Sequence, residues 1–361
     1  MATRHSLAAL VFAAVSSFGR PQAFAADALI GVAAPTSGPA AVLGAQVAAG
    51  ARRAMAAAPA AKRLEIDTRC TEEGGREAAQ RFVAAKVGVV TGFVCTEALE
   101  AALPILAAAG IPTITSGVRA TRLTDRRAKS GALLWRVAPR SDAAAEALAG
   151  AVSARWKDRP FGLVDDGSVD GRGLADAVRS RLEAAGAKPI LVDTFRPADE
   201  KQFGLVRRIL ASGVTRVVIA GDRPDIAIIA RDAAASGLVL DIVAGETLLD
   251  EPGAVPLPEG IVAVAPAWQW TSAADGTDAG SEPPPEEREG YFGPSLAATE
   301  IALAAVTDAQ RSGRTLREVL DTTRFSTALG FVRFDAKGDG DLDLYRTFRF
   351  DGTTFVPESD G

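Results

Sequence analysis

The side chains of this chain that could carry out chemistry are few, and the rarest is histidine. The only histidine among 361 residues is His5, which stands in the stretch Met1–Ala25, a predicted leader that is cleaved off. We therefore expect a mature chain in which Ser–His and Cys–His catalysis and imidazole-ligated metal sites are excluded. An enzyme of this composition would need paired carboxylates or a Ser–Lys arrangement, and the sequence shows no clear motif for either. The sequence predicts neither an enzyme nor a bound cofactor.

The two cysteines, Cys70 and Cys95, are the next candidates for chemistry. Each stands just beyond a short apolar run that is typical of a β-strand, Leu64–Asp67 for the first and Gly88–Val94 for the second. Ala-rich segments of helical period separate these runs from each other and from a third, Thr113–Ser116, which predicts a parallel sheet. Because parallel strands end at one edge of a sheet, the cysteines are placed close enough for a disulfide; two buried free thiols are the alternative. Ligands bind at that edge of open sheets, so a disulfide would brace a binding rim.

Two further motifs resemble ligand sites but are incomplete. The run Asp339–Asp343 has the alternating acids of a calcium loop, but it lacks the glycine at the sixth position and the distal glutamate. The run Gly171–Gly173 follows a predicted strand as a dinucleotide loop would, but Asp176 stands where that motif has its third glycine. We interpret the first run as a polar turn, and we predict no metal site and no nucleotide cofactor.

The stretch Met1–Ala25 is typical of a secretory signal peptide. Arg4 precedes the apolar run Leu7–Phe18, and Ala23–Ala25 has the small–x–small form of a cleavage site. We predict cleavage near Ala25 and not a membrane anchor, because the apolar run is too short to span a bilayer. Export favours the disulfide, since disulfides persist outside the cytosol.

The predicted mature chain is acidic and long enough for two lobes. About 335 residues remain after cleavage, more than one small domain requires. The leader carries Arg4 and Arg20 and no acid, so the formal net charge falls by two, from −5 to −7. This charge argues against nucleic acid as a partner.

Predicted strands and helices alternate along the whole mature chain. The alternation runs from Asp27–Ala34 to the strand Ala132–Val137, restarts after a break at Ala138–Ser141, and continues to the strand Ile261–Ala265. This order predicts an α/β protein with two doubly wound parallel sheets. The low-complexity stretch Thr271–Gly290 is predicted to be a surface loop, and late helices and strands follow it.

Four blocks of sequence, taken in order, carry a resemblance to a known family. They are Ile30–Pro39, the cysteine pair with Gly110–Ser116, Asp166–Ala175 and Gly330–Asp339. In these blocks the chain resembles the type I periplasmic solute-binding proteins of ABC importers, of the leucine/isoleucine/valine-binding protein family. The resemblance implies two lobes, joined by a three-segment hinge, that close on a small molecule like a Venus flytrap.

The resemblance also implies where the lobes begin and end. The three crossings are expected near Ala138–Ser141, Ala265–Trp268 and Gly330. After the signal peptide, residues 1–25, the N-terminal lobe is expected to comprise residues 26–138 with 267–330. The C-terminal lobe is expected to comprise residues 139–266 with 331–361.

One lobe is implied to hold the carboxylate of an amino acid. In the relatives the residue after the second cysteine supplies a hydroxyl, and here it is Thr96 at a helix start, where free amides also favour an anion. Capping the helix is the alternative role of Thr96. The following strand leads to a loop that supplies further contacts, which here consists of Ser116, Gly117, Val118 and Arg119. Arg119 replaces the threonine of the relatives, and it would either pair with a carboxylate through two hydrogen bonds or point to solvent.

The other lobe is implied to hold the ammonium group. Glu246 matches the acid of the relatives, with an exposed loop acid as the alternative interpretation. Asp170 and Asp222 take positions that are usually tyrosine, and they would either make the cleft more acidic or be solvated loop residues. Leu43 and Trp268 are candidates for the wall of the side-chain pocket, and simple packing is the alternative role of Trp268.

The function that follows is capture of an amino acid or amino-acid-like solute by a periplasmic monomer, which delivers the solute to an inner-membrane ABC permease. A ligand-binding module that feeds a sensor or serves a periplasmic enzyme system is the alternative. An exported α/β enzyme is a third possibility. Genes for a permease and an ATPase beside this one would favour transport, and turnover of a compound would favour the enzyme.

Overall fold

The computed structural model describes residues 29–270 and 288–358. The predicted signal peptide and most of the predicted low-complexity loop lie outside these residues. Inside the described ranges, no helix is both long and apolar enough to cross a membrane.

Strands and helices alternate along the described chain. The first segment comprises β1 (Leu29–Ala34), α1 (Ala41–Ala56), β2 (Lys62–Asp67), α2 (Glu72–Ala85), β3 (Val89–Gly92), α3 (Thr96–Ala108), β4 (Thr113–Thr115), α4 (Thr121–Asp125), α5 (Arg127–Ser130) and β5 (Leu134–Arg136). The second comprises α6 (Ala143–Trp156), β6 (Gly162–Asp165), α7 (Val169–Ala184), β7 (Leu191–Thr194), α8 (Phe203–Ser212), β8 (Arg216–Ala220), α9 (Arg223–Ala235), β9 (Asp241–Ala244), a 3₁₀ helix (Glu246–Leu249) and β10 (Val262–Pro266). The last comprises α10 (Phe292–Ser312), α11 (Leu316–Thr322), β11 (Phe325–Thr327), β12 (Gly330–Val332), β13 (Tyr345–Phe350) and β14 (Phe355–Pro357).

The strands form two large sheets, one in each lobe, and confirm the predicted α/β architecture. The first sheet is parallel throughout, with the order β2-β1-β3-β4-β5. The second has the order β14-β13-β10-β9-β8-β6-β7, in which β13 and β14 are antiparallel additions to a parallel sheet. Strands β3 and β6 are buried along their whole length, as expected for parallel strands covered by helices on both faces.

Each sheet has a hydrophobic core on both faces. In the first lobe, Trp135 and Ile301 belong to the core beneath α10, while Phe82 and Leu99 belong to the core beneath α2 and α3. In the second lobe the two cores lie beneath α8 with α9 and beneath α6 with α7. This packing brings the carboxyl ends of each set of parallel strands to one edge of its sheet.

The third crossing between the lobes lies later than predicted. Strand β12 pairs with β11, and Val332 and Phe334 are buried in the first-lobe core with Ile301. The chain enters the second sheet only at Tyr345, which faces Pro266 of β10. The boundary predicted at Gly330 is therefore too early, because the apolar side chains just beyond it are buried in the first lobe.

The crossings lie against each other. The amide of Ala267 donates to the carbonyl of Leu344 at 2.7 Å, which joins the second crossing to the third. The amide of Arg136 donates to Gly338 at 2.8 Å, and the amide of Gly340 donates back to Arg136 at 2.9 Å. The hinge is therefore a hydrogen-bonded unit and not three separate linkers.

The acidic turn that resembles a calcium loop is held by arginines. The carboxylate of Asp339 accepts from Arg136 Nε at 2.8 Å and from Arg140 Nη1 at 2.8 Å. Across the described ranges, no group of three or more His, Cys, Asp or Glu residues is arranged to hold a metal ion. The side chain of Asp339 thus serves as a counter-ion at the hinge.

The disulfide between Cys70 and Cys95 is present, which confirms the predicted pairing. Their Cα atoms lie 5.3 Å apart, and the bond spans a sequence separation of 25. A loop of this length contributes roughly 3–4 kcal/mol in the chain-entropy description. The bond ties the loop after β2 to the start of α3, where Thr96 stands.

Candidate functional site

A pair of opposite charges joins the two lobes across the cleft. Nη1 of Arg119, which follows β4 in the first lobe, donates to both carboxylate oxygens of Glu246, which follows β9 in the second, at 2.9 and 2.8 Å. Nη2 of Arg119 donates to the hydroxyl of Tyr345 at 2.5 Å. The Arg119 side chain is 26% exposed and that of Glu246 44% exposed, so the pair lies at the partly open interface of the lobes. Arg119 therefore pairs with a carboxylate of the protein, and its contact with a ligand carboxylate stays a prediction.

The loop that carries Arg119 is fixed by its own hydrogen bonds. The amides of Ser116, Gly117 and Val118 donate to Gly92 O at 2.7 Å, Phe93 O at 3.2 Å and Thr115 Oγ1 at 3.2 Å. The side chain of Val118 is buried in the first-lobe core. These three amides therefore have internal acceptors, and the donors that this loop offers to a ligand are side chains.

Gly117 allows an aromatic ring to approach this loop closely. A Cβ atom at position 117 would lie 2.5 Å from Cε1 of Tyr291 and 2.8 Å from Cγ1 of Val94. The amide of Tyr291 donates to Gln46 Oε1 at 3.2 Å, which ties this ring to α1. Leu43 is half-buried in the first turn of α1, close in sequence to Gln46. The rim is therefore shaped by α1, Tyr291 and the loop after β4 together.

Thr96 is the first residue of α3 and half-buried. The residue before it, Cys95, occupies the N-cap position without a side-chain hydrogen bond to the helix. Amides in the first turn of a helix have no intrahelical acceptor and attract negative charge. The loops after β3 and β4 are joined through the Ser116–Gly92 and Gly117–Phe93 hydrogen bonds, so this helix start lies on the same edge as Arg119.

Two polar atoms of the loop after β4, Ser116 Oγ and Arg119 Nε, are buried without a hydrogen-bond partner. The same is true of Nε1 of Trp268, which follows β10 in the second lobe. Trp268 packs partly against the core of the second lobe, while Ser116 is completely buried in the first. Buried polar atoms in folded proteins are almost always bonded, so unpaired ones at a cleft are typical of a site that a ligand completes.

Asp170 and Asp222 are exposed at the starts of α7 and α9, on the corresponding edge of the second sheet. Burial raises the pKa of Asp250, and the charges of Asp222 and Glu246 raise it further, which places these three acids near one another. The hydrogen bonds and ion pairs of the described chain do not connect Asp170 or Asp222 with Arg119. Their contact with a ligand stays a prediction.

Two residues of this site were missed by the sequence analysis, Tyr291 and Tyr345. They are the only tyrosines in the chain, and the structure brings both to Arg119. Burial raises the pKa of Tyr345 to about 12, with Arg119 opposing this shift and Glu246 adding to it. Burial also raises the pKa of Tyr291. The rarity of tyrosine was a signal, but nothing local placed these rings in the cleft.

We expect Tyr345 to stay protonated in the folded protein at pH 10, where an unfolded chain has lost half of its tyrosine protons. Its contribution to stability is fully present below pH 10 and is lost as the pH rises towards a pKa of about 12. Tyrosinate ultraviolet absorbance, measured against pH for the folded protein and for the protein in guanidinium chloride, checks this. Equal titration midpoints in the two states would show that the rings are solvated.

Comparison with known proteins matches this architecture. The family model described as periplasmic binding protein matches residues 29–346. The Leu/Ile/Val-binding protein homolog 1 of Brucella melitensis biotype 1 is 26% identical over 367 residues, which cover 95% of each chain.

Two solved structures share the fold. One, a putative branched-chain amino acid ABC transporter from Rhodospirillum rubrum, has a TM-score of 0.70 at 19% identity and covers 91% of this chain and 99% of that one. The other, an ABC transporter substrate-binding protein from Desulfitobacterium hafniense in complex with Leu, has a TM-score of 0.63 at 19% identity and covers 92% and 100%.

Proposed function

Because the chain belongs to the periplasmic binding protein family, we propose that it captures an amino acid or amino-acid-like solute between its lobes. It then delivers the solute to an inner-membrane ABC permease and performs no chemistry on it. The protein works in the periplasm as a monomer, after removal of its leader near Ala25. The relatives described as Leu/Ile/Val-binding proteins and the neighbour in complex with Leu support this class of ligand.

The observation that carries the proposal is the contact between Arg119 and Glu246 across the cleft. A ligand that bears a carboxylate finds Arg119, Ser116 and the start of α3 on one lobe. On the other lobe it finds Glu246, which holds the guanidinium of Arg119 in place. Since these groups belong to different lobes, a ligand that touches both favours the closed form, and binding is coupled to closure.

A thermal-shift screen of amino acids, amides, polyamines and aromatic acids tests the ligand class. A carboxylate-bearing compound is expected to raise the unfolding temperature in proportion to the logarithm of its concentration, because it binds only the folded chain. If no carboxylate stabilises the protein while an amide or a polyamine does, the proposed ligand class is wrong.

Calorimetric titration with the compound so identified tests the residues. We expect Thr96→Ala and Glu246→Ala each to weaken binding by roughly tenfold or more, since each removes a polar contact or the support of one. Glu97→Ala and Glu251→Ala are matched controls, because both side chains are exposed beside the tested residues and neither contacts Arg119. Unchanged affinity in both tested variants would show that the site lies elsewhere.

A further inference from the structure

Glu246, the acid that the resemblance implies for a ligand ammonium group, already has a cationic partner. Both oxygens of Glu246 accept from Nη1 of Arg119, at 2.9 and 2.8 Å. Asp170 and Asp222 do not replace it, because they are exposed to water, where pairing with a ligand cation is screened. A ligand ammonium group at Glu246 would therefore have to displace Arg119 or share the carboxylate with its positive charge.

Most of the buried polar groups here that lack a hydrogen-bond partner are donors. Arg119 Nε and Trp268 Nε1 are buried N–H groups without an acceptor, and Ser116 Oγ is a buried hydroxyl without a partner. The oxygen of Tyr345 accepts from Arg119 Nη2, so its own proton is available to an acceptor. A tyrosine hydroxyl is protonated at neutral pH, and burial raises the pKa of Tyr345 further, to about 12.

Two of these donors, Arg119 Nε and the hydroxyl of Tyr345, stand at one guanidinium group. Nε and Nη2 lie on the same edge of an arginine side chain, and Tyr345 stands at Nη2. A carboxylate can place one oxygen at Nε and its other oxygen at the Tyr345 hydroxyl while Nη1 stays on Glu246. Guanidinium–carboxylate contacts of this kind are charge-assisted and strong.

We propose that Arg119 determines specificity by occupying Glu246 in place of a ligand ammonium group, so that the site prefers carboxylates that lack an α-ammonium group. This inference rests on the proposed function and narrows its ligand class to amino-acid-like organic acids. A zwitterion that places its carboxylate at Arg119 finds no free acid for its ammonium group, because Arg119 already holds Glu246. An organic acid binds with the pair intact.

Matched pairs of ligands that differ only in the ammonium group test the inference. Suitable pairs are leucine with 4-methylpentanoate and phenylalanine with 3-phenylpropanoate. We expect the wild-type protein to bind the organic acid of a pair more tightly than the amino acid in calorimetric titrations. In Arg119→Gln, which frees Glu246, the affinity ratio should move towards the amino acid by roughly tenfold or more.

Two further variants separate the roles of Arg119. Arg119→Lys keeps a positive charge near Glu246 but has no Nε donor edge, so both members of a pair should lose affinity while their ratio stays near the wild-type value. Arg122→Gln is the matched control, because Arg122 pairs with Glu100 at the surface and should leave both affinities unchanged.

The outcomes distinguish this inference from the proposed function. Equal or tighter binding of the amino acid by the wild-type protein, or an unchanged ratio in Arg119→Gln, overturns the inference and leaves the proposed function intact. If no carboxylate of either kind binds, the proposed function is overturned as well.

Discussion

Asp339→Ala is expected to unfold with a free energy about 3–5 kcal/mol below that of the wild-type chain, because it leaves a buried guanidinium without its counter-ion. The side chain of Arg136 is only 1% exposed, and its Nε and Nη2 donate to Asp339 Oδ1 at 2.8 and 2.5 Å. Burial lowers the pKa of Arg136, while the charge of Asp339 opposes the shift. Urea unfolding followed by tryptophan fluorescence measures the loss.

Two variants make this result specific to the buried pair. Asp339→Asn keeps the size and one carbonyl acceptor of the side chain, so a smaller loss of stability is expected than for alanine. Lys337→Ala, in the same turn, removes an ammonium group that contacts Asp125 at the surface, and it should barely shift the transition. If Asp339→Ala and Lys337→Ala unfold at the same urea concentration, the buried pair does not stabilise the hinge.

Gly75→Ala is the second substitution with a large expected effect. Gly75 lies in α2, and a Cβ atom there would be 2.0 Å from the carbonyl oxygen of Ala98 in α3. The two helices would have to separate, and overpacking of this kind costs about 1–3 kcal/mol. Because Thr96 begins α3, a shift of that helix should also weaken ligand binding. Thermal unfolding and calorimetric titration of the variant measure the two effects.

Gly173→Ala is the matched control for this experiment. Gly173 is also inside a helix, α7, but it is exposed, and apart from its chain neighbours and its own helix backbone no atom lies within 4 Å of a Cβ built there. Alanine should stabilise this helix by about 0.5–1 kcal/mol, because glycine is the poorer helix former. The two variants should therefore shift the unfolding temperature in opposite directions, and a shift of the same sign would contradict the close approach of α2 and α3.

The hinge and the binding loop share a hydrogen bond. The amide of Ser141, in the first crossing, donates to the carbonyl of Arg119 at 2.9 Å. Arg140, beside it in sequence, binds the same carboxylate of Asp339 that holds Arg136. The residue that contacts Glu246 of the second lobe is therefore hydrogen-bonded to the first crossing between the lobes.

The amino-acid sequence by itself determined the architecture. Apolar runs such as Gly88–Val94 alternate with segments of helical period along the chain. The spacing of apolar residues within each segment shows whether it forms a strand or a helix, and no distant contact is needed to see it. The same order placed Cys70 and Cys95 at one edge of a sheet, where the structure shows them bonded. Resemblance to a family singled out Arg119 and Glu246, on different lobes, as candidates for one site.

Only the tertiary structure decided how these side chains are used. Arg119 pairs with Glu246 over a separation of 127 residues, and Tyr345 joins them from 226 residues beyond Arg119. Such contacts depend on the closure of two lobes and leave no trace in local periodicity. The third crossing was misplaced for the same reason. An apolar residue such as Phe334 could be buried in either lobe, and only the packing of α10 shows that it lies in the first-lobe core with Ile301. Local sequence determines which elements form, whereas the pairing of distant polar groups is decided by how those elements pack.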